Sequence, residues 1–176
     1  MTLVKKLPFK YDIKKLQDTL HHFLDDNPTI ANVLNQQYQY YNNIGKTSGL
    51  TTVNVRDSEK NINLTQGTYF GKVFRDISSL YEINIVYLMK VAATSIISEH
   101  TDSTEVVLLP IISDGEYESI IDGKQISMPA DGSIYLLNSL LPHIGNNKGK
   151  NPSYRLSFKI AYYRPKAIYE KWTNYA

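Results

Sequence analysis

The stretch Glu105-Val-Val-Leu-Leu-Pro-Ile-Ile112 decides the fold. It is almost unbroken apolar sequence, about as long as one strand, and suits a strand covered on both faces. Working outward, Asp122-Gly123 separates Glu116–Ile121 from Lys124–Met128. Asp-Gly between two strand-like runs is a strong hairpin signal, because both residues tolerate the left-handed backbone that a two-residue turn requires. Pro129-Ala-Asp-Gly132 marks another turn before Ser133–Leu137, and the Asn146–Pro152 segment turns the chain into Tyr154–Tyr163. On the other side, Glu82–Val91 alternates, with Ile83, Ile85, Tyr87, Met89 and Val91 predicted on one face.

Short strands at near-regular spacing predict a mainly β sandwich or barrel of the jelly-roll class, with its core over residues 68–163. Residues 1–40 are predicted to be a helical N-terminal part. Phe9, Ile13, Leu16, Leu20, Phe23 and Leu24 form one apolar stripe over 9–25, which Asn27-Pro28 ends. A second helix is expected from about Thr29 to Tyr38, and both helices should pack on one outer face of the β core. Between residues 42 and 67 the periodicity fades into Asn, Gly, Ser and Thr, a candidate lid. Gly45-Lys46-Thr47 in that stretch lacks the earlier glycine and preceding strand of a phosphate loop. From Pro165 the chain reads as a terminal segment docked by aromatics such as Trp172.

At 176 residues the chain is expected to form a single domain, 1–176, large enough to bury a sizeable core. A net charge of +2 with scattered basic residues argues against a nucleic-acid or membrane partner. The absence of cysteine excludes disulfides, zinc–thiolate sites, iron–sulfur clusters and thiol nucleophiles. With no signal-peptide core and no run of roughly 18 apolar residues, the expected compartment is the cytoplasm.

The chemistry concentrates in the last third. His100-Thr101-Asp102 is a His-x-Asp tripeptide whose two side chains share a face if the segment is extended. His143 follows 43 residues later, behind the hairpins that a jelly roll needs to bring a late strand beside an early one. Two imidazoles and a carboxylate can hold a ferrous ion on one side and leave its other positions open. His21 and His22, the remaining histidines, sit side by side on the predicted first helix and point about 100° apart. Arg155, twelve residues past His143, and Ser157 share a polar strand face with Lys159. That face is either the outside of the sheet or the lining of a cavity. An arginine fork with a neighbouring hydroxyl suits a carboxylate. Among the chain's 14 tyrosines, Tyr38, Tyr40 and Tyr41 cluster, and they pack helices onto a sheet or line a groove.

Taken together, His100-Thr-Asp-Ser, Leu109-Pro110-Ile111, Ile121-Asp122-Gly123, Gly132-Ser-Ile-Tyr135, Asn138-Ser-Leu, Pro142-His143, Asn146 and Arg155-Leu-Ser resemble the aspartyl/asparaginyl β-hydroxylase family. That family belongs to the iron(II)- and 2-oxoglutarate-dependent oxygenases and also includes free-proline hydroxylases. The resemblance covers about residues 82–163. It implies a double-stranded β-helix, with Fe(II) held by His100, Asp102 and His143 as the catalytic metal set. It implies 2-oxoglutarate anchored by Arg155, with Ser157 beside it, and dioxygen as the oxidant. The implied reaction hydroxylates an amino acid or a peptide side chain, such as proline, aspartate or asparagine, and converts 2-oxoglutarate to succinate. Peptide aspartyl hydroxylases of the family lack a carboxylate at the Asp102 position, and free-proline hydroxylases carry further C-terminal sequence. Tyr87 and Asn138 are candidates to touch substrate. Two rival readings use the same residues: a non-redox jelly-roll binding module, and a zinc or manganese isomerase or hydrolase.

Overall fold

The structure, a computed structural model, describes residues 2–35, 40–42, 45–47, 49–57, 62–115 and 117–163. The elements run β1 (Val4–Lys10), α1 (Ile13–Asp26), α2 (Pro28–Asn35), β2 (Tyr40–Asn42), β3 (Gly45–Thr47), β4 (Leu50–Asn54), β5 (Arg56–Asp57), β6 (Ile62–Asn63), α3 (Tyr69–Ser78), β7 (Tyr81–Val91), β8 (Ser95–His100), β9 (Val106–Ile112), β10 (Tyr117–Ile121), β11 (Lys124–Ile126), β12 (Ser133–Leu137), β13 (His143–Asn147) and β14 (Ser153–Tyr163). A six-stranded sheet in the order β1-β12-β9-β14-β7-β4 faces a four-stranded sheet in the order β11-β10-β13-β8. Every pairing is antiparallel. The protein is therefore mainly β and built as a jelly roll. No helix among the described residues is long and apolar enough to cross a membrane.

The larger sheet separates two apolar regions. On its outer face Leu16, Leu20 and Phe23 of α1, and Phe70, Val73 and Ile77 of α3, pack with Val107, Leu109, Ile111, Leu156 and Phe158. Each such side chain, fully buried, contributes about 1.5–3 kcal/mol. On its inner face a smaller cluster (Val106, Leu108, Tyr135 and Leu137 against Ile121 and Met128) joins the sheets. β9 serves both regions, which is why its sequence shows no polar face.

Several expectations are corrected. The predicted helix over 9–25 begins at Ile13, where the Asp12 side chain accepts a hydrogen bond from the Lys15 amide at 3.1 Å. Phe9 belongs instead to β1, an edge strand on β12, where Pro8 and the lysines can be accommodated. α2 starts at Pro28, a residue suited to a first helical position, and Tyr38 lies outside the described residues. α3 interrupts the predicted procession of strands. The 42–67 stretch contributes β4 to the six-stranded sheet, because Thr51, Thr52 and Val53 are β-branched and pair with β7. β1 and β4 thus add strands from outside 68–163. On β7, Ile83 joins Val86 and Leu88 under the helices rather than sharing a face with Tyr87 and Met89. The β7–β14 register shifts opposite Ile160, which breaks the alternation there. The Asp122-Gly123 turn forms as predicted, with φ of 50° and 71°. Pro165 and Trp172 lie outside the described residues.

Gly132 fastens β1 to this frame. Its φ is +84°, its carbonyl accepts from the Tyr11 amide at 2.9 Å, and an added Cβ would sit 1.9 Å from the Tyr11 carbonyl oxygen. Gly132→Ala combines a disfavoured backbone region with a backbone clash, so it is expected to cost at least ~2 kcal/mol. Urea unfolding checks this, and an unchanged midpoint would contradict it.

Candidate metal centre

β8 and β13 are neighbours, and their register sets His143 directly across from His100. The two rings lie 4.2 Å apart between centroids at 51°. Asp102 is not on a strand: β8 ends at His100, and the Asp102 amide donates to the Ser139 carbonyl at 2.8 Å, which turns the chain back over the cavity. One ligand-capable atom from each of His100, Asp102 and His143 lies within 4.8 Å of the others, the one such group among the described residues. Three donors about 2 Å from a common cation are at most about 4 Å apart, so a group whose atoms lie within 4.8 Å is of the size that one cation can gather.

The imidazoles are oriented from behind. Nδ1 of His100 lies 2.8 Å from the Ser98 carbonyl, and Nδ1 of His143 lies 2.9 Å from the Leu141 carbonyl. A carbonyl only accepts, so Nδ1 must carry the proton in each ring. The Nε2 lone pair of the neutral ring is then free, the arrangement that raises imidazole basicity toward a metal. Burial, helped by His100 and Lys159, holds His143 below the ordinary imidazole value despite the opposing Leu141 carbonyl and Asp102.

These three residues open on a cavity of about 320 Å³ between the two sheets, within the range of small-molecule sites. β14 crosses its wall. Arg155, Ser157 and Lys159 face the cavity, while Leu156, Phe158 and Ile160 turn to the helices. Of the two alternatives for this polar face, the structure shows the lining of a cavity. Arg155 is only 2% exposed. Its Nε donates to the Ser153 hydroxyl at 3.3 Å, and its guanidinium carbon lies 3.2 Å from the centre of the Tyr117 ring. Among the described residues no carboxylate pairs with it. Burial pushes the guanidinium down from its ordinary value, with Tyr117 opposing. Arginine nevertheless remains charged in proteins. A buried guanidinium that no described carboxylate pairs leaves charge-assisted donors open beside the cavity.

Tyr87 lines the cavity, but Asn138 does not: it is buried, and its amide donates to the Leu3 carbonyl. His21 and His22 stay on α1, exposed and apart from the cavity. Sequence reasoning missed Tyr117. The signal was the alternation Tyr117, Ser119, Ile121 on β10, and all three line the cavity. Gly145 makes room for that ring, since a Cβ there would lie 2.2 Å from the Tyr117 hydroxyl.

No protein-family model matches the chain, and no curated protein matches it in sequence. Solved structures do resemble it. A prolyl hydroxylase from Trichoplax adhaerens, in complex with a hypoxia inducible factor peptide fragment, has a TM-score of 0.62 at 11% identity over 90% of this chain and 83% of that one. A viral collagen prolyl hydroxylase from Paramecium Bursaria Chlorella virus-1, solved as its 2OG complex, gives 0.58 at 9% identity over 90% and 96%. A Pseudomonas putida prolyl-4-hydroxylase gives 0.56 at 9% identity over 93% and 94%. At these identities the likeness is one of fold.

The depressed His143 value sets a direction for stability. Its ordinary value is 6.5, and a folded-state value below that means the unfolded chain takes up the proton first as pH falls. The stability His143 contributes is therefore full above about 6.5 and is lost as pH drops through the folded value. Urea unfolding of the metal-free protein across that window, alongside NMR titration of the imidazole protons, reads this. A His143 signal titrating above 6.5 would contradict it.

Proposed function

We propose that this chain is an iron(II)- and 2-oxoglutarate-dependent dioxygenase that hydroxylates a C–H bond of an amino acid or of a peptide side chain. The observation that carries this reading is one cavity holding both the His100/Asp102/His143 group and the buried guanidinium of Arg155, which no carboxylate among the described residues pairs. The donor set suits ferrous ion, because two imidazoles and one carboxylate form a face and leave the remaining positions for exchangeable ligands. The prolyl hydroxylase fold of the structural neighbours supports the reading. The finer resemblance to the aspartyl/asparaginyl β-hydroxylases rests on the motifs around His100, His143 and Arg155.

His100 and His143 would hold the ion through Nε2, with Asp102 as the anionic third donor. Bound there, iron(II) with 2-oxoglutarate and dioxygen supplies oxidative decarboxylation to succinate and carbon dioxide, coupled to transfer of one oxygen atom into a C–H bond. Arg155 would pair with the distal carboxylate of the 2-oxoacid, with the buried Ser157 hydroxyl two residues along the same face. The Tyr117 ring confines the guanidinium and so reduces the entropy lost on binding. Ile97, Leu108, Ile121 and Leu137 make much of the remaining wall apolar, which keeps bulk water from the reacting centre.

Anaerobic addition of ferrous ion and 2-oxoglutarate should produce a visible metal-to-ligand charge-transfer band, and admission of oxygen should yield succinate. Tight zinc binding without that band would favour a hydrolase or a non-redox binding module. His100→Ala and His143→Ala should each weaken iron binding by more than ~100-fold with circular dichroism unchanged. Arg155→Ala should weaken 2-oxoglutarate binding by about 30- to 5000-fold, the range for removing one partner of a buried charge pair. Full turnover in either histidine variant would refute the ligand assignment.

A further inference from the structure

Lys159 has no role in the reading above. It projects into the same cavity from β14, four residues beyond Arg155. Its ammonium lies 3.8 Å from an Asp102 oxygen and 5.9 Å above the Tyr87 ring. The first distance is longer than a hydrogen bond, and Lys159 makes none among the described residues. With the side chains of Lys159 and Asp102 only 29% and 23% exposed, the ammonium's donors face the cavity with little water to spare.

The spacing separates this cation from the one at Arg155. The strand between them is regular and rises about 3.3 Å per residue, so their backbones are roughly 13 Å apart. Arg155 also leans the other way, tied through Nε to Ser153. A five-carbon dicarboxylate spans about 5 Å between its terminal carbons. A co-substrate that places its distal carboxylate on Arg155 therefore cannot bring that carboxylate to Lys159, and its other end is taken by the metal. Charge points in the same direction. Among the described residues the charged groups lining the cavity are Arg155, Lys159 and Asp102, a surplus of one positive charge. A divalent ion and a dianionic co-substrate cancel each other, and the surplus remains, at Lys159.

We infer that Lys159 receives a carboxylate of the prime substrate, so that the enzyme selects an anionic amino acid or acidic peptide and fixes it beside the metal ligands. This rests on the dioxygenase reading. The carboxylate comes either from the free α-carboxyl of an amino acid or from an acidic side chain.

The test uses the full chain loaded with zinc and 2-oxoglutarate, a redox-silent complex in which binding is read without turnover. Saturation-transfer NMR is run with the free amino acids, their C-terminal amides, and short peptides carrying Asp or Asn, Glu or Gln. Acids should bind at least tenfold more tightly than their matched amides. Lys159→Met should erase that preference with zinc affinity changed by less than threefold, and Lys159→Arg should restore it. Preference confined to free amino acids identifies the α-carboxyl, and preference confined to Asp or Glu peptides identifies the side chain. Acids and amides binding alike, or neither binding, overturns the inference. So does an acid preference that survives Lys159→Met. A Lys159→Met variant that loses zinc while keeping the acid preference would show that Lys159 only steadies Asp102. Failure of the wild-type protein to take up 2-oxoglutarate would instead overturn the dioxygenase reading, and this inference with it.

Discussion

Strand alternation along β14 sets two unlike environments back to back. β14 is hydrogen-bonded to β9 on one side and β7 on the other. Leu156, Phe158 and Ile160 lie under the helices, whereas Arg155, Ser157 and Lys159 enter the cavity. A slip of one residue would drive a guanidinium and an ammonium into the apolar layer and Phe158 into the cavity. The oil that α1 and α3 bury thus does more than stabilise the sheet, because it fixes which face of β14 carries the cations. Register irregularities flank this stretch, at Tyr154/Arg155 against β9 and at Lys159/Ile160 against β7. Between them the alternation is regular.

Much of this was legible because it depends on local pattern. Glu105–Ile112 reads as buried on both sides, and Val106–Ile111 is. Asp122-Gly123 reads as a hairpin turn and adopts its left-handed angles. The polar face of Arg155, Ser157 and Lys159 was visible, but which side of the sheet it occupied was not. That depended on where the helices packed. The meeting of His100, Asp102 and His143 was also expected, yet by the wrong device. Alternation was to carry Asp102, whereas the chain leaves the strand at His100 and Ser139 captures the Asp102 amide.

What was not legible depends on partners distant in sequence. β1 contains Lys5, Lys6 and Pro8, poor strand material unless β12 offers an edge. α3 carries an apolar spacing of Phe70, Val73 and Ile77, but Gly71 and the polar approach from Asn63 disguise it. Gly71 is there for packing, since a Cβ would lie 2.3 Å from the Thr65 carbonyl oxygen, a steric clash. Tyr117 gave no sequence signal beyond alternation, because its role follows from a cation on a different sheet.

The energetics of Arg155 explain why the cavity is built as it is. Removing a guanidinium from water without a counter-charge is costly, and the chain offsets only part of this with one aromatic face and one hydroxyl. A better partner for folding would have been a carboxylate on β10, at the position Tyr117 occupies. Such a carboxylate would satisfy the arginine permanently and close it to any ligand. An aromatic face leaves the fork's donors open, so the remaining cost of burial is one that an anion in the cavity would relieve. The same logic extends along the strand to Lys159, held near Asp102 but beyond hydrogen-bonding distance. At both positions the described residues leave a charge incompletely paired, which is the physical ground for reading the cavity as a receptor rather than a core.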